Sequence, residues 1–184
     1  MHYTLCDCVM DLIQNSIEAG SSHIQLNMNQ SADSLEVSIR DDGCGMTDDE
    51  LKRATDPFYT DGIKHKHRKV GLGLPFLIQT VTMTDGQFDI RSEKNKGTEI
   101  DIRFNLANID TPPTGHIVSL LYQVLCFQGD YDLTAVRSLS KDGGELSYQV
   151  NRNEMLDVLG DLESAASLGL LRDFINSQEE DLLS

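Results

Sequence analysis

The sequence predicts an α+β fold: a two-layer sandwich of helices on an antiparallel or mixed sheet, followed by a small α+β extension. Three observations predict it. Several stretches repeat apolar residues at three and four positions, as amphipathic helices do. Others alternate apolar and polar residues with period two, as half-buried strands do. The order is helix, two strands, helix, loop, helix, two strands, which is not the strict β-α-β alternation of a parallel-sheet fold.

The first helix is read from Leu5, Val9, Leu12, Ile13, Ser16 and Ile17. Gly20 follows as its stop, with Ser21 and Ser22 beyond. Ile24, Leu26 and Met28 mark a strand; Asn29 to Ser34 is polar and turn-like; Leu35, Val37 and Ile39 mark the returning strand. Thr47 is placed to cap a short helix. Ala54 to Lys69 reads as a loop around Pro57 and Gly62, and Leu72 to Thr82 as the next helix. Phe88 and Ile90 mark a strand, and after Gly97 the residues Ile100, Ile102 and Phe104 mark another. Asp110-Thr111-Pro112-Pro113 punctuates the chain, so the reading divides it into 1–109 and 110–184. The second part is expected to hold a helix (Ile117 to Phe127), a hairpin turning at Asp142-Gly143-Gly144, and two short helices near Glu154 to Leu162 and Ala165 to Ile175. The closing residues QEEDLLS read as a frayed acidic tail.

Composition narrows the function. The 184 residues carry 30 acids against 15 Lys plus Arg, a net charge of −15. Phosphate backbones and anionic lipid surfaces reward positive charge, so no nucleic-acid or membrane partner is expected. The longest apolar run, Ile117 to Phe127, is too short to span a bilayer, which needs about 20 residues. No signal peptide is read at the start. Cys6, Cys8, Cys44 and Cys126 show no metal-binding spacing and suit a reducing cytoplasm as small, buried or half-buried hydrophobes.

Four pieces can carry chemistry. Asp11 and Asn15 stand one turn apart on the first helix. A carboxamide oxygen is a hard ligand suited to Mg²⁺, and a carboxylate beside it can orient or deprotonate a water. Taken alone, an ordinary polar helix face explains both. Asp41 follows Leu35, Val37 and Ile39 in period two, which carries it onto the inward face. An ionised inward carboxylate must find donors. With Gly43 and Gly45 after it, it can accept from an exocyclic amine of a flat ligand, or satisfy its own turn amides. Lys69-Val70-Gly71-Leu72-Gly73-Leu74 opens a helix on a glycine pair, which offers amides to a phosphate. Four of the fifteen cationic residues fall between Lys64 and Lys69, consistent with a nearby anion or with a solvated loop. Thr98 shares the inward face of Ile100, Ile102 and Phe104, where its hydroxyl can reach a ligand or serve as a satisfied core group.

Together these pieces resemble the GHKL ATPase superfamily of DNA gyrase, the large heat-shock chaperone, histidine kinases and MutL. DLIQNSIEAG resembles the N box, DDGCGM the first glycine box, KVGLGL the second, ATDPFYT the stretch between the boxes, and GTEIDIRF the closing strand. The likeness runs from Leu5 to Phe104. It implies a Bergerat fold that holds ATP with Mg²⁺. By position it implies that Asn15 is the metal ligand and Asp41 the adenine acceptor. Gly43, Gly45 and Met46 would line the base, and Thr98 would assist there. Gly71, Leu72, Gly73 and Leu74 would hold phosphates, with Lys64 and Lys69 meeting their charge. Thr60 to Val70 would form a lid.

Two departures stand out. Hydrolysing members usually carry glutamate where this chain has Asp11. One methylene less sets the base back, and about 1 Å of misplacement costs roughly a hundredfold in rate. No histidine stands in a helical phosphoacceptor context. The expectation is therefore an ATP- and ADP-binding protein with slow ATPase activity and Asp11 as its catalytic group, whose lid switches contact with a protein partner. The alternatives are a kinase acting on Ser or His of a separate protein, and a non-hydrolysing adaptor. The segment 110–184 is expected to supply the partner or homodimer surface.

Overall fold

The computed structural model describes residues 4–56, 73–141 and 143–184. The first helix, α1 (Leu5–Glu18), starts at a reciprocal cap: Asp7 N–H donates to Thr4 Oγ1 (3.2 Å) and Thr4 N–H to the Asp7 carboxylate (3.0 Å). It ends in a Schellman turn. Gly20 N–H reaches the Ile17 carbonyl (3.0 Å), Ser21 N–H reaches that of Ser16 (3.3 Å), and Gly20 takes the left-handed φ of +75°.

β1 (His23–Gln30) and β2 (Ser34–Asp41) form an antiparallel hairpin. α2 (Asp48–Thr55) is capped by Thr47 and reaches two residues into the stretch read as loop. α3 (Gly73–Met83) carries Pro75 in its first turn, where a missing N–H costs nothing. β3 (Gln87–Glu93) and β4 (Gly97–Asn105) complete the part read as the first unit. Beyond Pro113 come α4 (Ile117–Cys126), β5 (Asp132–Lys141), β6 (Gly144–Asn151), α5 (Arg152–Leu159) and α6 (Ala165–Leu183). Gly143 turns the last hairpin at φ +77°; Asp142 lies outside the described residues.

The six strands of the described residues join one mixed sheet in the order β3-β4-β2-β1-β5-β6. Among them only β1 and β5 pair in parallel. The α+β expectation is thus met, with α1, α3, α4 and α6 along one face. Leu26, Met28, Val37, Ile39, Ile102 and Phe104 from the sheet meet Leu5, Val9, Leu12 and Ile13 of α1. The same core continues through Leu121, Leu125, Leu133, Leu171 and Ile175. Sheet and core therefore run without a break across the chain's Pro-Pro punctuation. The link is itself docked: the Pro113 and Thr114 carbonyls accept from the N–H groups of Leu5 and Cys6 (both 2.9 Å).

The C-terminus departs from expectation. The last helix is 19 residues long, not short, and takes in the segment read as a frayed tail. Glu179 and Leu182 are buried there. Glu179 tolerates burial because its carboxylate meets Arg137 (3.3 Å) and the Tyr148 hydroxyl (2.7 Å). A tail read by its acidity is fixed by a cation on a distant strand.

Candidate functional site

The end of β2 is where the predicted residues converge. Asp41 is half-buried and its carboxylate accepts three hydrogen bonds. Ser16 Oγ of α1 donates to Oδ2 (2.7 Å); Gly43 N–H (2.9 Å) and Thr98 N–H (3.3 Å) donate to Oδ1. The turn reading of Asp41 is met at Gly43, and the same carboxylate also joins α1 to β4. All three donors are neutral. A carboxylate offers about four acceptor positions, so acceptor capacity is left to spare.

The backbone around it is drawn in by two glycines. A Cβ on Gly97 (φ +111°) would stand 1.8 Å from the Asp41 carbonyl oxygen. One on Gly45 (φ +54°) would stand 2.0 Å from that of Glu93. Gly45 was expected to clear space for a ligand; in the structure it lets the loop after β2 lie against the β3–β4 turn. The contact is sealed by Asn95 N–H on the Cys44 carbonyl (2.8 Å) and by Met46 N–H on Ser92 Oγ (2.9 Å). Ser92 Oγ also bonds the Gly97 carbonyl (3.1 Å) and Thr98 Oγ1 (2.9 Å). Thr98 is thus both a neighbour of Asp41 through its amide and a satisfied hydroxyl through Ser92.

Asp42 does a different job. Its carboxylate accepts from the N–H groups of Ser22 (2.7 Å) and His23 (2.8 Å) and lies 3.0 Å from His23 Nδ1. The His23 amide above all, with the His23 ring and the Ser22 amide, holds this carboxyl below its usual range. Of two adjacent aspartates, the first serves the interior and the second pins the start of β1.

Asp11 and Asn15 both lie on α1, the first half-buried and the second exposed, and Asn15 immediately precedes Ser16. The metal-ligand candidate and the Asp41 donor therefore come from one helical turn. Gly73 and Leu74 begin α3, and the first amides of an α-helix stand outside its own hydrogen-bond ladder. Leu74 packs half-buried against the core. Lys64, Lys69, Gly71 and Leu72, and with them the Thr60–Val70 lid, lie outside the described residues.

Ser16 and Ser92 were not singled out as site residues. Each carried a signal: a polar residue at a core-facing position of an apolar pattern, on the helix period for Ser16 and on the strand period of Phe88 and Ile90 for Ser92. Such a residue requires a partner.

The residues present fit a purine with a magnesium phosphate. Asp41 offers an unspent acceptor in a glycine-lined corner. Asn15 offers one hard oxygen, and a Mg²⁺ shell is ordinarily completed by phosphate oxygens and waters. Among the described residues no three His, Cys, Asp or Glu side chains converge as an ion cage.

Comparison with known proteins agrees in kind. The chain is 40% identical over 70 residues to sporulation kinase E of Bacillus subtilis, covering 38% of this chain and 9% of that one. It is 30% identical over 95 residues to sporulation kinase C of the same organism, covering 50% and 21%. It is 28% identical over 107 residues to the sensor histidine kinase RcsC of Escherichia coli, covering 56% and 11%. The chain thus matches less than a quarter of the length of each of these relatives. Among solved structures, the Aquifex aeolicus MutL ATPase domain complexed with ADP gives a TM-score of 0.49 at 14% identity, covering 80% of this chain and 64% of that one. The profile described as histidine kinase-, DNA gyrase B- and HSP90-like ATPase matches residues 3–108, more than half of the chain. With its N-box helix, its inward Asp41 and its glycine-drawn loop in that order, the chain belongs to this ATPase family.

Proposed function

We propose that the chain binds Mg-ATP at the end of β2, hydrolyses it slowly, and regulates a protein partner through its nucleotide state. The observation that carries this reading is the Asp41 carboxylate, held by three neutral donors and left with room for a fourth. A bound Mg²⁺ would supply charge neutralisation at the phosphates. Asp41 accepts the adenine amino hydrogen bond, Asn15 presents its amide oxygen to the metal, and the first amides of α3 face phosphate oxygens. Asp11, one turn before Asn15, takes the proton of the attacking water. Its short side chain is the reason for slow turnover.

The test is calorimetric titration with ATP, ADP and a non-hydrolysable analogue, with and without Mg²⁺, alongside phosphate release. Asp41→Asn should weaken ATP binding by about 1–3 kcal/mol through a mismatched acceptor. The fold should survive, because the Asn oxygen still accepts from Gly43 and Thr98 while the Ser16 hydroxyl turns to accept. Unchanged affinity in that variant ends the assignment. Asp11→Ala should spare binding and abolish phosphate release; retained release removes Asp11 from the mechanism.

Similarity to sensor and sporulation kinases favours a second reading, transfer of the γ-phosphate to Ser or His of a separate protein. Within this chain His23 is engaged with Asp42 at a strand start and His116 is the N-cap of α4. Labelled γ-phosphate ATP with a cell extract separates the two. A labelled protein band that Asp41→Asn removes supports transfer; free phosphate alone supports hydrolysis.

A further inference from the structure

The outer side of α6 is the least explained surface among the described residues. Leu170 and Phe174 stand one turn apart, 60% and 37% exposed, beside the buried seam of Ser167, Leu171, Ile175 and Leu182. Asp173 lies three residues after Leu170, Asp181 lies two turns beyond Phe174 on the same helix, and both are exposed. From Arg152 to the end the chain carries eight acids and two arginines, and after Lys141 it has no lysine. Neither arginine is a free counter-charge. Arg152 donates to the Leu125 (3.1 Å) and Tyr131 (2.9 Å) carbonyls and lies over the Tyr131 ring, and Arg172 lies 4.7 Å from the centre of the Tyr122 ring. The patch is therefore apolar in the middle and negative at its rim.

That combination selects its occupant. A second copy would bring the same acids against these acids, in a chain already at −15, and like charges meeting at an interface oppose association. A basic surface is attracted. We propose that the Leu170–Phe174 face of α6 docks a basic amphipathic helix of another protein, with apolar residues over Leu170 and Phe174 and lysine or arginine toward Asp173 and Asp181. A helix laid in this way reads its anchors at three- and four-residue spacing, matching the pair presented here. The proposal gives a chemistry to the partner of the regulatory reading above. It rests on that reading only for its purpose; nucleotide titration tests the reading separately.

The probe is a fluorescent 18-residue peptide of leucine and lysine arranged with helical period, compared with a scrambled peptide of identical composition. Anisotropy is measured on the whole chain. The periodic peptide should bind at least tenfold more tightly than the scrambled one, and more weakly as salt rises. Leu170→Ser/Phe174→Ser should lose at least tenfold in affinity, whereas Met83→Ser/Ile109→Ser, at exposed apolar positions elsewhere, should not. Asp173→Lys/Asp181→Lys touches no buried side chain and should lose affinity likewise, which keeps the test decisive if the serine variant unfolds. Equal binding of both peptides, undiminished binding by the charge-reversed variant, or a dimer in sedimentation that the serine variant splits would overturn the proposal.

Discussion

Two carboxylates show how differently the halves of this sheet use the same group. Asp41, at the end of β2, is half-buried and held by a hydroxyl and two amides, with no cation among those partners. Glu179, on α6, is buried against the guanidinium of Arg137 and the hydroxyl of Tyr148. Arg137 is 1% exposed, donates also to Gln30 Oε1 and the Ser138 carbonyl, and leaves only its Nε without a partner. The first carboxylate keeps spare acceptor capacity for something else. The second has its charge cancelled on the spot and holds a helix to a strand. Neutral donors leave a carboxylate useful; a buried cation uses it up.

The contrast is most sharply tested at Glu179. Glu179→Ala strands a buried guanidinium and should cost about 3–5 kcal/mol in urea unfolding, while nucleotide affinity of the folded protein stays unchanged. A fall in affinity would mean the halves are coupled through the sheet. Gly97→Ala comes next. Its Cβ meets the Asp41 backbone at a left-handed φ, so it should cost more than about 2 kcal/mol and loosen Asp41 together with nucleotide affinity. Gly143→Ala is the control: its φ is also positive but nothing stands within 4 Å, so about 1–2 kcal/mol and no change in affinity are expected. The loss of ATP affinity in Asp41→Asn is of intermediate size.

The smallest effect is one of pH. The Thr47 amide, with help from Lys94, holds the Glu50 carboxyl down to about 2. A depressed carboxyl stabilises the fold above its unfolded value of about 4.5 and loses that contribution as pH falls toward 2. Glu50→Gln should flatten the stability profile across that window only. A profile unchanged by the substitution would remove the cap from the account.

Much of this was legible in the residues. Period two alone carried Asp41 inward, and spacing alone set Asp11 and Asn15 on one helix beside the residue that donates to Asp41. Ser16 and Ser92 were harder, because a serine in an apolar pattern announces a need without naming the partner, which is 25 residues away for one and 46 for the other. Gly45 shows the limit of local sequence, which marks a place for a residue without a side chain; only the fold shows the Glu93 backbone that a Cβ would meet. The C-terminal helix was misjudged for a related reason. Its acidity argued for water until Arg137, 42 residues earlier, was brought beneath it.

The Pro113 and Thr114 carbonyls have a practical bearing on anyone who trims the gene. A fragment stopped at residue 109 retains the whole family match yet strips two acceptors from the start of the helix that bears Asp11 and Asn15. Its first turn would then rest on the Thr4–Asp7 cap alone, and a binder weakened in this way would be mistaken for an inactive one. The prolines are therefore the wrong place to cut.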